Sequence, residues 1–257
     1  MNKKFTITEK SRKLRGQIVK KSKLLHDLVS ERRKHTQNDK SLDQIHHEKR
    51  IWNAHATLAM KNSKLTLSQV TDVIEGGHSQ LAPNEILAVK NAYEAYSLLY
   101  FPHFVNRVGL DPYNIHHIQD IHRAFMAGLS KQTGPADVSA EKLQNILGNL
   151  IKWVQDSKEG LLIKACVFHY NFIMISPFNE GNEYIARLWQ MLLVQQNKGD
   201  WVYTRVPAMK VLLTRRQEYY NILAIADKAA GCTMFIEFML QTILDAMTEY
   251  EEDASQV

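Results

Sequence analysis

Ile175-Ser-Pro-Phe-Asn-Glu-Gly-Asn-Glu-Tyr-Ile-Ala-Arg187 is the stretch on which the fold and function of this chain turn. Before it, residues 160–175 are apolar nearly all round, a pattern a helix carries when it is buried on every side. After it, a helix is predicted from Glu180 to about Asn197, and the proline turn Ser176-Pro177-Phe178-Asn179 joins the two. The turn delivers Glu180, Gly181 and Asn182 to a helix start, where free backbone N–H groups and the positive dipole end favour an anion. Gly181 allows close backbone approach, Glu180 could hold a divalent cation such as Mg²⁺ against phosphate oxygens, and Arg187 could reach a terminal phosphate. Helix capping explains the Gly-Asn pair as well. Glu183 and Arg187, four apart with Glu first, could equally form a surface ion pair that leaves Arg187 without a ligand role.

Working outward, the same punctuation recurs. Leu14, Ile18, Leu25 and Leu28 share one face of a helix from Ser11 to about Lys34, with Lys and Arg on the others. A second helix is predicted from Ser41 to Met60, ending near Asn62, and Thr66 N-caps a short one that Gly76-Gly77 stops. Pro83 opens a helix to Leu99, Asp111-Pro112 one to Gly128 with Ile115, Ile118, Ile121 and Phe125 inward, and Ser139 one to Asp156. Beyond Asn197 come one helix ending near Ala230 and a last from Thr233 to Tyr250. Only 11 Gly and 6 Pro leave few turns for a sandwich or barrel, so an all-α bundle is expected.

Hydrophobic residues make up 45% and charged ones 23% of 257, ordinary globular usage that argues against a disordered or fibrous chain. Net charge is +5, but residues 1–50 hold 15 Lys+Arg against 6 Asp+Glu, and the remainder 17 against 21. That local basicity suits either a solvated helix face or docking on a nucleic acid or an acidic protein. Cys166 and Cys232 are too few for a disulfide framework or structural zinc, and no apolar run of about 18 residues or signal peptide is present. A cytoplasmic protein with no membrane partner is expected.

The segment from Ile175 to Arg187 resembles the signature of the Fic (Fido) family, His-Pro-Phe-x-(Asp/Glu)-Gly-Asn-Gly-Arg-x-x-Arg, and His169-Tyr170 stands where the family's buried helix carries a His. The similarity extends to Asn62-Ser-Lys-Leu-Thr-Leu, Ile121-His122-Arg123, Tyr219-Tyr220 and Phe235-Ile-Glu-Phe, and so covers about Ala54 to Met247. It implies a Fic-like helical bundle at 54–257 preceded by a basic helical extension at 1–53. It also implies a protein adenylyltransferase (AMPylation) chemistry that moves AMP from ATP, with Mg²⁺, onto a protein hydroxyl. Position by position, Phe178 would anchor the loop, Glu180 would sit at the metal, Gly181 and Asn182 at the phosphate nest, and Arg187 at the terminal phosphate.

Three positions depart from that signature. The family's catalytic histidine falls on Ser176, its second glycine on Glu183 and its first arginine on Tyr184. Serine has no pKa near working pH, and general-base assistance is typically worth on the order of 10²–10⁴ in rate. Glu183 puts a carboxylate where triphosphate should pass; at ~4 Å two like charges repel by roughly 1 kcal/mol in water and roughly 4 at an effective dielectric near 20. The family's inhibitory pattern (Ser/Thr)-x-x-x-Glu-(Gly/Asn) falls on Thr57-Leu-Ala-Met-Lys61-Asn62, with the charge reversed at Lys61. A Lys61–Glu183 contact that plugs the site is therefore predicted. The rival placement at Thr71 to Gly76 is read as a helix C-cap, and residues 129–139 look too short and too polar for the family's β-hairpin flap.

His116, His117 and His122 lack zinc spacing and are read as structural, His169 as a core histidine, Cys166 as core, and Trp153, Trp189 and Tyr219-Tyr220 as packing. The leading expectation is a degenerate Fic pseudoenzyme, inactive or weak as an AMP transferase, acting through a protein partner or nucleotide binding. One alternative keeps Mg–ATP-dependent transfer of a nucleotidyl or phosphate group by an altered mechanism, with Glu183 as substitute base. A second gives the work to residues 1–50, and a homodimer stays open.

Overall fold

The computed structural model describes residues 4–35, 41–77, 80–100, 110–129, 140–195 and 206–255. Eleven helices occur among them: α1 (Glu9–His35), α2 (Leu42–Met60), α3 (Leu67–Ile74), α4 (Pro83–Tyr100), α5 (Ile115–Met126), α6 (Ala140–Asp156), α7 (Leu161–Ile175), α8 (Asn182–Gln195), α9 (Ala208–Thr214), α10 (Arg216–Lys228) and α11 (Thr233–Ser255). The described residues form no strand, and the all-α bundle expected from sequence is what is observed. No helix among them is long and apolar enough to cross a membrane.

The local signals act as their chemistry requires. Ser41 and Gln44 close a reciprocal capping box at the start of α2, and Thr66 and Gln69 do the same for α3. Gly76, at φ +84°, turns the chain out of α3 just past Glu75, so the Glu75-Gly76 pair is the C-cap expected of it. α7 is the core element: every residue from Leu162 to Phe172 is buried, and α8 packs along it through Ile185, Leu188, Trp189 and Leu192. Burying Phe168, Phe172 and Trp189 side by side removes large apolar surfaces from water, each worth about 2–3 kcal/mol.

Some boundaries differ from the sequence reading. α5 starts at Ile115 rather than at Pro112, because the Asn114 side chain accepts a hydrogen bond from His116 N at 3.0 Å and caps there. α8 starts at Asn182, two residues late. The single helix expected before Ala230 is two, broken at Arg215, whose guanidinium is held by Glu218, Asp245 and Thr242 and lies over Phe238. On α1 it is Val29, not Leu28, that is fully buried. The segment expected to replace the flap lies, from residue 130 to 139, outside the described residues.

α1 runs parallel to α11. Lys4 O accepts from Cys232 N (3.1 Å), Thr6 N donates to Thr233 Oγ1 (2.9 Å), Lys10 pairs with Glu237 (3.3 Å) and Lys21 with Glu251 (2.7 Å). Leu14, Ile18 and Leu25 thereby join the same hydrophobic core as α7. Two of the basic side chains of residues 1–50 are thus spent on acids of α11, while Arg12, Lys13, Lys20 and Lys23 face solvent. The boundary drawn at residue 53 falls inside α2.

Candidate active site

The turn between α7 and α8 is fixed from three sides. Ser176 closes α7 in the left-handed region (φ 47°, ψ 61°), a conformation that costs a non-glycine residue energy unless its surroundings hold it. Asn182 does the holding. Its Oδ1 accepts from Phe178 N (2.9 Å), and its Nδ2 donates to Phe178 O (2.6 Å) and to Ser176 Oγ (3.0 Å). Below the turn, Phe178 is buried and stacks on His122 with ring centroids 3.8 Å apart. His122 Nε2–H donates to Glu180 O at 2.9 Å, so the imidazole supports both the ring and the backbone of the turn. Burial holds the His122 pKa below its ordinary value, and the bond to Glu180 only partly offsets this, so the neutral ring is the one present. Gly181 sits at φ +82°, which favours glycine, and a Cβ there would lie 3.0 Å from Met126 Sδ, close enough that the methionine would have to shift.

Above the turn opens a cavity of about 420 Å³, lined by Lys61, Met126, Ile173, Ser176, Asn179, Glu180, Gly181, Asn182, Glu183 and Tyr184. Arg187 does not line it. Its side chain is fully buried, with Nε and Nη2 donating to Thr57 Oγ1 (both 3.2 Å), Nη2 to Thr57 O (3.3 Å) and Nη1 to Glu183 Oε2 (3.3 Å). On its far side Arg187 borders a second cavity of about 60 Å³, with His169, Gln190 and apolar residues. Arg187 was expected to reach a terminal phosphate; here its side chain turns into the core instead, where Thr57 and Glu183 accept four hydrogen bonds from its guanidinium. The Glu183–Arg187 pair is also not a surface one, since the arginine is sealed in the core.

Glu183 is the hub. Besides Arg187, its carboxylate pairs with Lys61 Nζ at 3.1 Å, the contact expected from sequence, and has Tyr220 OH at 2.6 Å from Oε2. Burial works to raise its pKa, but Arg187, then Tyr220 and Lys61, outweigh it and hold the carboxyl below the usual carboxylate range. A carboxylate so engaged is a weaker proton acceptor than a free one. Tyr184 fills the place of the family's first arginine with an aromatic ring, stacked on Phe125 at 5.2 Å.

Of the two acids in the cavity, only Glu180 forms no ion pair among the described residues, and these contain no cluster of three or more His, Cys, Asp or Glu able to hold a metal. Were Mg²⁺ bound here, Glu180 would be the carboxylate to hold it, and the ion would supply positive charge against phosphate oxygens.

The sequence reading placed Ser176, Glu180, Gly181, Asn182, Glu183 and Tyr184 together, and they do line one cavity; Thr57 and Asn62 lie outside it. It missed the second rank. Tyr220 OH also lies 2.9 Å from Met60 O, Arg216 Nε donates to Met60 O at 2.9 Å, and Arg216 Nη2 bonds Asn62 Oδ1, so α10 clamps the end of α2 against Glu183. Tyr219 and Tyr220 therefore do more than pack, as does Trp189, whose Nε1 donates to Pro112 O. His169 is the expected core histidine: its Nδ1–H donates to Gln190 Oε1 and its Nε2 accepts from Tyr219 OH at 2.9 Å. Cys166 is buried, which pushes its thiol pKa up and leaves it inert.

Residues 112–194 match the Fic/DOC family. A Fic family protein from Desulfovibrio desulfuricans G20 superposes with a TM-score of 0.82 at 29% identity, covering 98% of this chain and 77% of that one. Fic-1 from Caenorhabditis elegans has the same fold, with a TM-score of 0.65 at 19% identity over 91% of this chain and 71% of that one. Among curated relatives, protein adenylyltransferase fic-1 of Caenorhabditis elegans is 24% identical over 225 residues, 79% of this chain but 41% of its own length. Its Caenorhabditis briggsae counterpart is 22% identical over 80% of this chain and 42% of its own, so the chain spans about two fifths of these relatives. The matched segment runs from the cap of α5 to the end of α8 and contains the turn, its histidine support and the cavity floor, so the part of the chain that builds the site is the part that is similar to the Fic/DOC family.

Proposed function

We propose that the chain is a Fic-domain protein that binds a nucleotide with Mg²⁺ above the α7–α8 turn without transferring AMP efficiently, and acts through that binding or through a protein partner. The observation that carries this reading is Ser176: at the position where the family resemblance puts the base, it offers a hydroxyl that already accepts from Asn182 and cannot take a proton near neutral pH. Glu183, the nearest alternative, is spent on Lys61, Arg187 and Tyr220. Support for retained binding comes from the positive-φ Gly181, the ordered Asn182 bonds and the 420 Å³ of space beside Glu180.

The test is incubation of the full chain with labelled ATP and Mg²⁺, alone and in lysate, beside a calorimetric titration with Mg–ATP. The expected result is saturable binding without incorporation of label. Label that enters the chain or lysate proteins and disappears with Asn182→Ala overturns it.

A further inference from the structure

The same reading leaves one cavity residue without a role. Lys61 is the only cation lining the cavity among the described residues, since Arg187 is turned into the core and Tyr184 carries no charge. Its ion-pair partner, Glu183, does not depend on it. Glu183 keeps the fully buried Arg187 at 3.3 Å and the Tyr220 hydroxyl at 2.6 Å whether or not Lys61 stays, whereas the Lys61 side chain is 46% exposed. Losing an exposed third partner costs little, because such pairs are weak and screened. The backbone beneath the lysine is, by contrast, fixed: Lys61 caps α2, and the preceding Met60 carbonyl is gripped by Arg216 and neighboured by Tyr220. An anchored base with a flexible four-carbon stem and a point charge at its tip suits a group that changes partner.

We infer that Lys61 is the phosphate-binding cation of this cavity: it leaves Glu183 and pairs with a phosphate of the bound nucleotide, supplying from α2 the charge that the α8 helix lacks at Tyr184. The inference rests on the nucleotide reading above and reverses the sign expected of Lys61 as a plug. A plug competes with the ligand; a cation that moves from a shared carboxylate to a phosphate attracts it.

Calorimetric titration of the full chain with ATP and Mg²⁺, at two salt concentrations, separates these. Lys61→Gln, a neutral polar change at an exposed tip, is expected to weaken Mg–ATP binding about 10-fold and to flatten its salt dependence, while Lys61→Arg stays within a few-fold of the parent. Thermal unfolding of both variants, expected close to the parent, checks that the fold is intact. Equal or tighter binding by Lys61→Gln overturns the inference and leaves the nucleotide reading standing. No binding by the parent or either variant overturns both.

Discussion

Replacing Glu183 by Ala tests whether the buried Arg187, not the exposed Lys61, is its main electrostatic partner. In the parent the Arg187 side chain is fully buried, and Glu183 supplies its only carboxylate among the described ion pairs. Removing the acid leaves a guanidinium sealed in the core with only neutral partners, Thr57 and the tyrosines around it. Breaking a buried pair from one side costs about 3–5 kcal/mol; with the Glu183 side chain 20% exposed, the low end applies, about 3 kcal/mol. For a chain of this size that is a fall in Tm of about 6–12 °C. Lys61→Gln cuts the same carboxylate's other ion pair, but at a site 46% exposed, where the loss is at most about 1 kcal/mol and about 4 °C. Differential scanning calorimetry of the two variants beside the parent reads both. The reasoning is refuted if Glu183→Ala unfolds within about 3 °C of the parent, or if Lys61→Gln costs as much.

Two further outcomes follow from the site and the core. Burial, the largest effect, lowers the His169 pKa from its usual 6.5 to about 3, so below pH 6.5 the unfolded chain binds a proton that the folded one refuses. Stability should be level above pH 7 and fall as pH drops through 6.5 toward 3, by about 2 kcal/mol at pH 5, with His122 and His55, also lowered by burial, adding in the same direction; urea titrations at pH 8 and pH 5 with equal midpoints would contradict this. Gly181→Ala places a Cβ at φ +82° and 3.0 Å from Met126 Sδ, which should cost about 1–2 kcal/mol and lower Tm by several degrees; an unchanged Tm in calorimetry would show the turn to be relaxed there.

What could be read from the sequence was whatever local chemistry writes into it. The all-round apolar character of α7, the Thr66 cap and the Gly76 stop follow from residues a few positions apart. The Lys61–Glu183 pair was reached because two charge changes at positions fixed by the family resemblance complement each other. The clamp by Arg216 and Tyr220 was not, since its partners lie about 155–160 residues away and no local pattern marks them. The same holds for the break at Arg215, which interrupts a continuous helical pattern because Thr242 and Asp245 of α11 capture the guanidinium. Arg187 was misplaced for a related reason: a motif gives its position along α8, whereas the Thr57 hydroxyl that turns it inward comes from another helix.

The parallel seam of α1 and α11 sets an order of events during synthesis. Thr8 and its partner Glu237 are 229 residues apart, so the face of Leu14, Ile18 and Leu25 leaves the ribosome long before the helix that covers it. At ordinary elongation rates of 5–20 residues per second the delay is about 10–45 s, time in which an apolar stripe flanked by lysines stands open to chaperones. α1 is thus made long before the helix that buries it, and a nascent chain halted before α11 would carry that stripe uncovered.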